Sequence, residues 1–329
     1  MPASVLPAGS TVLVTGANGF VASHLIEKLL GYGYKVRGST RSAEKLAPLQ
    51  QKWDADFGEG QFETVVVEDL TDEPALLKTM EGVSAVAHVA TDLSLGKPAE
   101  EVIAIVVNMT IGVLAAAKKV PSIKRVVLTS STAAGLIVVA DEERAPVNES
   151  TWNEESKVNA RKPNPDLFTV YCTTKTEGEQ AAFKWVEENK PHFEFNSVLP
   201  NTIIGPSVHS SQKKQFILSM FEGDKGMAEM FPPQHYVSVE DVALVHFGAL
   251  TLPSVSNSRL WTVAGPYNWD DVLDQFRKLH PSRTIMPNFQ SGKDLSKIDN
   301  SKATAILKEL GRPGWMSLEA SVESLIGRE

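Results

Sequence analysis

Residues 11–22 read TVLVTGANGFVA, in which a β-branched run is followed by a turn with two glycines. Apolar residues then recur at helical spacing over residues 20–30, so the stretch predicts a strand, a turn and a helix. Gly16 and Gly19 allow a tight turn and a close approach of the backbone to a pyrophosphate, and the helix N-terminus offers free N–H groups to it. The stretch therefore predicts a dinucleotide-binding turn, although glycine turns also form without a ligand.

The same alternation of strands and helices continues to about residue 200. Further strands are predicted at residues 35–38, 62–67, 85–89, 125–129 and 194–199, and helices at residues 74–80, 101–119 and 173–188. Such alternation favours a Rossmann-type fold, a doubly wound α/β architecture with a parallel sheet covered by helices on both faces. Beyond Pro200, proline and glycine interrupt the apolar segments. We therefore predict a nucleotide-binding domain over residues 1–200 and a smaller C-terminal substrate-binding lobe over residues 201–329, with some exchange of chain between them.

The composition limits the classes of function. The 329 residues include 32 Lys and Arg against 40 Asp and Glu, a formal net charge of -8, which disfavours nucleic acid as a partner. No apolar stretch is expected to be long enough to span a bilayer, and the seven scattered histidines predict no metal site. The single cysteine, Cys172, cannot form an intramolecular disulfide, and the chain start lacks a signal-peptide pattern, so a cytoplasmic protein is expected.

The end of the second predicted strand indicates which dinucleotide is bound. A site that prefers NAD usually carries Asp or Glu there, to bind the ribose 2′-hydroxyl. Residues 36–45 instead read VRGSTRSAEK, which places Arg37, Arg41 and Lys45 near the expected position of a 2′-phosphate. Guanidinium and ammonium groups both suit phosphate oxygens, so NADPH is favoured over NADH. The alternative is a solvated basic loop.

Two more strand ends carry candidate ligands of the cofactor. Asp69 and Leu70 follow the third strand and are expected near the adenine, whereas Val89 and Thr91 follow the fourth and are expected near the pyrophosphate and ribose. Either pair would equally serve as a helix cap and core residues. Together with the turn, the predicted contacts are Gly16, Asn18, Gly19, Phe20, Val21, Asp69, Leu70, Val89 and Thr91.

A second group of residues suggests proton transfer. Tyr171 and Lys175 are four residues apart, so on a helix they share one face. A phenol with a pKa near 10 becomes a useful acid–base group when a nearby cation stabilises the phenolate. Residues 128–132 read LTSST and end the fifth strand, where a hydroxyl group could hold a carbonyl oxygen. A chance Tyr–Lys pair and a polar strand end would explain each feature alone; together they predict a site that reduces carbonyl groups.

These motifs resemble the extended short-chain dehydrogenase/reductase family essentially from end to end. The resemblance is carried by TGANGF, TSST, YCTTK at residues 171–175 and YVSVEDVA at residues 236–243. The segments VRGSTRS, VVEDL, HVAT and GRPGW are similar to the yeast NADPH-dependent aldehyde and carbonyl reductases, relatives of plant dihydroflavonol and cinnamoyl-CoA reductases. The resemblance implies that Tyr171 is the general acid, that Lys175 binds the nicotinamide ribose and lowers the pKa of the tyrosine, and that Ser131 polarises the carbonyl.

The resemblance also assigns residues that contact the cofactor elsewhere. It implies that Pro200 and Thr202 border the nicotinamide and that Arg41 and Lys45 bind the 2′-phosphate. Ala22 stands where the third glycine of the turn is often found, a replacement that the family tolerates.

The predicted function is NADPH-dependent reduction of a small aldehyde or ketone to an alcohol, by a monomer or homodimer. The alternatives are a nucleotide-sugar epimerase or dehydratase on the same fold, and a non-catalytic NADP-binding redox sensor. Positions facing the substrate are expected at residues 91–95, at Phe168 and Thr169, and at residues 230–236. The proline-containing segment at residues 141–166 is expected to form a mobile wall of the substrate cleft.

Overall fold

The computed structural model describes residues 3–92, 97–213 and 215–329. The strands in these ranges are β1 (Thr11–Thr15), β2 (Lys35–Thr40), β3 (Phe62–Val66), β4 (Val83–His88), β5 (Arg125–Thr129), β6 (Glu194–Pro200), β7 (Thr202–Ile204), β8 (Gln234–Ser238), β9 (Arg259–Thr262) and β10 (Gly265–Tyr267). The helices are α1 (Phe20–Gly31), α2 (Ala43–Phe57), α3 (Glu73–Thr79), α4 (Ala99–Lys118), α5 (Glu154–Asn159), α6 (Leu167–Asn189), α7 (Phe216–Phe221), α8 (Val239–Thr251), α9 (Trp269–Leu279), α10 (Ser301–Glu309) and α11 (Leu318–Ile326). Short 3-10 helices cover Thr132–Ala134 and Gly226–Met230.

The main sheet confirms the predicted Rossmann-type fold. Its strand order is β3-β2-β1-β4-β5-β6-β9, and every neighbouring pair is parallel. The order reverses between β1 and β4, and ligands of such sheets bind in the crevice at the carboxyl ends of the strands beside this point. Helices α1 and α8 pack together in one hydrophobic cluster, whereas α3, α4 and α6 contribute to another. The sheet is therefore covered on both faces.

Helices α2 and α6 both differ from the sequence-based prediction. Helix α2 was not predicted, since its surface is polar and Pro48 lies inside it, but Leu46, Leu49 and Trp53 are buried at helical spacing. Helix α6 begins at Leu167 rather than at residue 173, because the Asp166 side chain caps it by accepting the N–H of Thr169 at 2.9 Å. The earlier start places residue 171 inside the helix.

The chain beyond residue 200 contributes to both parts of the molecule. Helix α8 packs on α1, α10 packs on α8, and β9 pairs with β6 as the edge strand of the main sheet. The remaining strands form a second sheet of order β10-β8-β7, which packs with α7, α9 and α11 around another hydrophobic cluster. The division at residue 200 stays a prediction, and these segments show where chain from the C-terminal part joins the main sheet.

Two of the family-like motifs contact each other in this region. The buried Asp241 of the YVSVEDVA motif accepts a hydrogen bond from the Arg312 guanidinium at 3.2 Å and one from the Met316 N–H at 2.7 Å. The GRPGW motif at residues 311–315 is therefore held against the start of α8. Both motifs have a structural role here.

The segment at residues 141–166 makes contacts that the sequence did not indicate. Asp141 N–H donates to the Lys293 carbonyl at 2.9 Å, and Val147 forms a bridge with Ile298. Helix α5 interrupts the segment and packs on α6. These contacts tie the segment to the C-terminal chain.

Helix α4 corrects one expectation from the sequence. It is 20 residues long and, by length and composition alone, apolar enough to cross a membrane. The expectation that no stretch was long enough is therefore wrong. One such helix is weak evidence for a membrane span, because core helices have the same composition. Here α4 packs on α3, α6 and the sheet, and eight of its side chains are buried.

Candidate active site

A cavity of about 800 Å³ lies at the carboxyl ends of the parallel strands. Most of the predicted site residues line it: Gly16, Asn18, Gly19, Phe20, Val21, Arg41, Asp69, Leu70, Val89, Thr91, Ser131, Tyr171, Lys175 and Pro200. Lys45 and Thr202 do not. Thr202 lies in β7, and its hydroxyl group lies 3.5 Å from the side-chain oxygens of Asn201 and Gln234. The fold thus brings the predicted nucleotide and proton-transfer residues into one continuous wall.

The glycine turn has the conformation and the space that a pyrophosphate requires. Gly16 has a φ of 68°, and a Cβ atom at this position would lie 3.1 Å from the Ala90 Cα atom. Gly19 is the N-cap of α1 and provides no side-chain hydrogen bond to the first turn. The N–H groups of that turn therefore keep their capacity to bind an anion, which fits the predicted dinucleotide.

A segment of the C-terminal part contacts this turn from outside the cavity. The Gln212 side-chain amide donates to the carbonyl oxygens of Asn18 and Gly19, both at 3.2 Å, and to the Ser23 hydroxyl at 3.0 Å. Its oxygen accepts the N–H groups of Val208 and His209 at 2.8 and 3.2 Å. Sequence reasoning missed Gln212, because a lone glutamine in a loop carries no signal of a contact so distant along the chain.

The basic segment after β2 divides into two parts. Arg41 is exposed and lines the cavity, and Lys45 is exposed in the first turn of α2. Arg37 lies earlier in β2, and its guanidinium donates to Glu63 and to the carbonyl oxygens of Thr79 and Glu81, each at 2.8 Å. The three cations therefore do not form one cluster. The prediction that Arg37 lies near the 2′-phosphate is wrong, and its side chain has a structural role instead.

His88 joins the ends of β1 and β4 beneath the cavity. Its Nδ1 atom lies 2.9 Å from the Thr15 hydroxyl, which also accepts the N–H groups of Val89 and Ala90 at 3.1 Å. Because Thr15 accepts from both amides, its own proton is available for His88. Burial, together with the charge of Lys175, lowers the pKa of His88 to about 3. The neutral ring therefore fixes two loops that line the cavity.

The predicted catalytic residues Ser131, Tyr171 and Lys175 line one part of the cavity, which is called the reaction end below. Ser131 is buried and is the N-cap of the 3-10 helix, and its hydroxyl accepts the Ala133 N–H at 3.2 Å. Burial raises the pKa of Tyr171, whereas a hydrogen bond with the Ser131 hydroxyl acts in the opposite direction. The Lys175 ammonium donates to the Thr129 carbonyl at 3.1 Å. Burial lowers the pKa of Lys175 to about 8, although the charge of Glu179 opposes this effect.

Cys172 has no part in this chemistry. It is fully buried beside Tyr171, and burial raises its pKa to about 12. A thiol that holds its proton so firmly is a poor nucleophile. The expectation that it is a small packing residue agrees with this position.

The expected substrate-facing positions are only partly in contact with the cavity. Thr91 lines it, whereas residues 93–95 lie outside the described residues. The Phe168 ring stacks on Tyr171 with centroids 6.2 Å apart and meets the Phe231 ring edge-on at 5.7 Å. Among the described residues the cavity wall includes none of segment 141–166, and its role as a mobile wall of the substrate cleft stays a prediction. The wall does include Ile105 and Met109 of α4, which the sequence did not single out.

Comparisons with known proteins agree with this geometry. Residues 12–263 match the NAD dependent epimerase/dehydratase family. Aldehyde reductase 2 of Sporidiobolus salmonicolor is 46% identical, over 99% of this chain and 98% of its own, and ketoreductase adrE of Penicillium rubens is 37% identical over 99% and 98%. The crystal structure of yeast methylglyoxal/isovaleraldehyde reductase complexed with NADPH has a TM-score of 0.80 and 26% identity, covering 95% of this chain and 96% of that one. The chain therefore belongs to the NAD dependent epimerase/dehydratase family, the extended short-chain dehydrogenases/reductases that its motifs predicted.

Proposed function

We propose that this chain reduces aldehydes and ketones to alcohols with NADPH and that Tyr171 donates the proton. The observation that carries the proposal is that Ser131, Tyr171 and Lys175 lie in the wall of the same cavity as the glycine turn and Arg41. A protein that only binds a nucleotide has no need for a phenol, a hydroxyl and a buried ammonium at one place. The reductase names of the relatives support the same activity.

The chemistry assigns one task to each residue. When bound, NADPH supplies the hydride that the carbonyl carbon accepts. Negative charge then develops on the carbonyl oxygen, which the Ser131 hydroxyl stabilises by a hydrogen bond and Tyr171 neutralises with its proton. Burial raises the pKa of Tyr171, so the phenol is protonated before the reaction. The Lys175 ammonium, four residues along α6, stabilises the phenolate that remains.

The alternatives explain less of the site. At the end of β2 the cavity is lined by Ser39, Thr40 and Arg41, and none of these three side chains is a carboxylate that would prefer the 2′-hydroxyl of NAD. Sugar-nucleotide epimerases keep NAD tightly bound, so the residues at the end of β2 favour a reductase that exchanges NADPH. A redox sensor would not need the proton donor.

Three broader expectations remain predictions. They are a cytoplasmic location, a monomeric or homodimeric state, and the absence of nucleic acid and membrane partners. Light scattering on the purified chain separates monomer from dimer. Fractionation of cells that express the chain tests its location.

The test of the mechanism is Tyr171→Phe, measured by NADPH oxidation with a panel of aldehydes, ketones and ketoesters. The substitution removes the proton donor and little else. We expect kcat to fall by about 100-fold or more on the best substrate, while NADPH affinity changes by less than about threefold. A near-normal kcat would overturn the assignment of Tyr171.

The matched control is Tyr236→Phe. Tyr236 is also partly buried, burial raises the pKa of its hydroxyl group, and it does not line the cavity. Loss of this hydroxyl should change stability slightly and leave kcat within about twofold. If neither variant affects kcat while wild type turns over the panel, the chain is a reductase with a different proton donor. If wild type turns over none of the panel, the proposed activity itself fails.

A further inference from the structure

Helix α6 presents a third polar residue on the face that carries the catalytic pair. Tyr171, Lys175 and Glu179 are spaced by four residues, so they form one stripe along the helix. Each contacts the segment at the end of β5: Tyr171 meets Ser131, Lys175 donates to the Thr129 carbonyl, and Glu179 accepts the Ser130 hydroxyl at 2.9 Å. The two adjacent serines of the TSST motif thus contact different members of the stripe.

Glu179 belongs to a buried ion pair that is fully hydrogen-bonded. Arg259 in β9 donates to both carboxylate oxygens, at 3.0 and 3.1 Å, and Ser197 in β6 donates at 2.5 Å. The side chains of Glu179 and Arg259 are 0% and 4% exposed. A carboxylate that accepts four hydrogen bonds in a dry interior has one well-defined position, and so has any group that bonds to it.

The same arginine holds a second segment. Its guanidinium donates to the carbonyl oxygens of Glu149 and Thr151 at 2.8 and 2.6 Å and stacks on the Trp152 ring at 3.6 Å. The next residue, Asn153, donates to the carbonyl oxygens of Ala133 and Ala134 at 2.8 and 3.0 Å. The chain on both sides of Ser131 is therefore connected to the Glu179–Arg259 pair.

We propose that Ser130, Glu179 and Arg259 are positioning residues that fix the backbone around Ser131 and so direct its hydroxyl toward the carbonyl oxygen. The inference rests on the proposed role of Ser131. It explains why two neighbouring serines end β5: Ser131 faces the reaction, and Ser130 anchors the segment to the buried pair. A displacement of about 1 Å in a catalytic group can cost 100-fold in rate, so an anchor of this kind affects turnover.

The test uses two serines that bond to the same carboxylate. Direct replacement of Glu179 would leave the Arg259 charge buried and unpaired, and the chain could fail to fold. Ser130→Ala and Ser197→Ala each remove one hydroxyl group and leave the ion pair intact. Only Ser130 lies on the segment that carries Ser131, so only Ser130→Ala should lower kcat, by about tenfold. Ser197→Ala should leave kcat within about twofold, with a similar decrease in Tm.

A double substitution shows whether Ser130 acts through Ser131. In a Ser131→Ala background, Ser130→Ala should lower the residual kcat by less than about twofold. NADPH affinity should change by less than about twofold in both serine variants, because the anchor acts on the reaction end. Equal kcat losses in Ser130→Ala and Ser197→Ala, or a tenfold loss that persists without Ser131, would overturn the inference. Ser131→Ala with nearly normal activity would instead overturn the role of Ser131 in the proposed function.

Discussion

The charged side chains at the two ends of the cavity differ in their exposure to water. At the end predicted to bind the adenosine, Arg41 and Asp69 of the cavity wall are exposed, as is Lys45 in the first turn of α2, so water and salt screen their interactions. At the reaction end Lys175 is 8% exposed and lies within hydrogen-bond reach of the Thr129 carbonyl. We therefore expect a positive charge to act more weakly at the exposed end than at the buried end. The exposed end should govern which dinucleotide binds, with a dependence on salt, and the buried end should govern turnover, with a dependence on pH.

The largest effect that tests this comparison is expected at the adenosine end. Arg41→Ala combined with Lys45→Ala should weaken NADPH binding by about 2 kcal/mol, or roughly 30-fold, because the two predicted contacts with the 2′-phosphate are charge-assisted but exposed. NADH binding should change by less than about threefold. Dissociation constants for both dinucleotides, measured at low and high salt, check the expectation.

Arg37→Ala is the matched control for that double variant. Arg37 belongs to the same basic segment but is bonded to Glu63 and two carbonyl oxygens. Its loss should affect stability and leave the preference for NADPH unchanged. If the double variant loses affinity for NADH and for NADPH equally, Arg41 and Lys45 do not select the cofactor.

A smaller effect is expected when the pH dependence of kcat/KM is measured, because this dependence reports the charge of Lys175 at the reaction end. Burial lowers the pKa of Lys175 to about 8, so the ammonium is present below this pH and is lost above it. The value of kcat/KM for NADPH, which reports the free enzyme, should therefore be level below pH 8 and fall by up to tenfold per unit above it. His88, with a pKa of about 3, and Tyr171, whose pKa is raised, do not titrate in this range. A profile that stays level to pH 10 would show that the charged lysine is not required.

The smallest effect concerns the contact between the C-terminal part and the glycine turn. Gln212→Ala removes the amide that bonds to Asn18, Gly19 and Ser23, so the turn should bind NADPH about fivefold more weakly while kcat is unchanged. Ser211→Ala is the control, since its hydroxyl bonds only within the loop, to His209 at 2.8 Å. Equal affinities in the two variants would mean that the turn needs no support from this loop.

Features that depend on neighbouring residues could be predicted from the sequence. The glycine turn is one example, because Gly16 needs a positive φ that few other residues adopt. The shared face of Tyr171 and Lys175 is another, since it follows from helical spacing. The strands up to β6 begin and end within two residues of their predicted bounds, because short apolar runs between turn residues mark them.

Features that depend on distant segments could not be predicted. The direction of the Arg37 side chain depends on Glu63 and the turn after α3, and the separate roles of Ser130 and Ser131 depend on Glu179. Arg259 reaches Glu179 only because β9 pairs with β6, and Gln212 reaches the glycine turn only because the C-terminal part folds back over α1. Backbone preferences and helical spacing act over a few residues, and the sequence shows them directly. The partners of a buried polar side chain are set by packing and hydrogen-bond satisfaction among segments far apart in the chain, which exist only in the folded molecule.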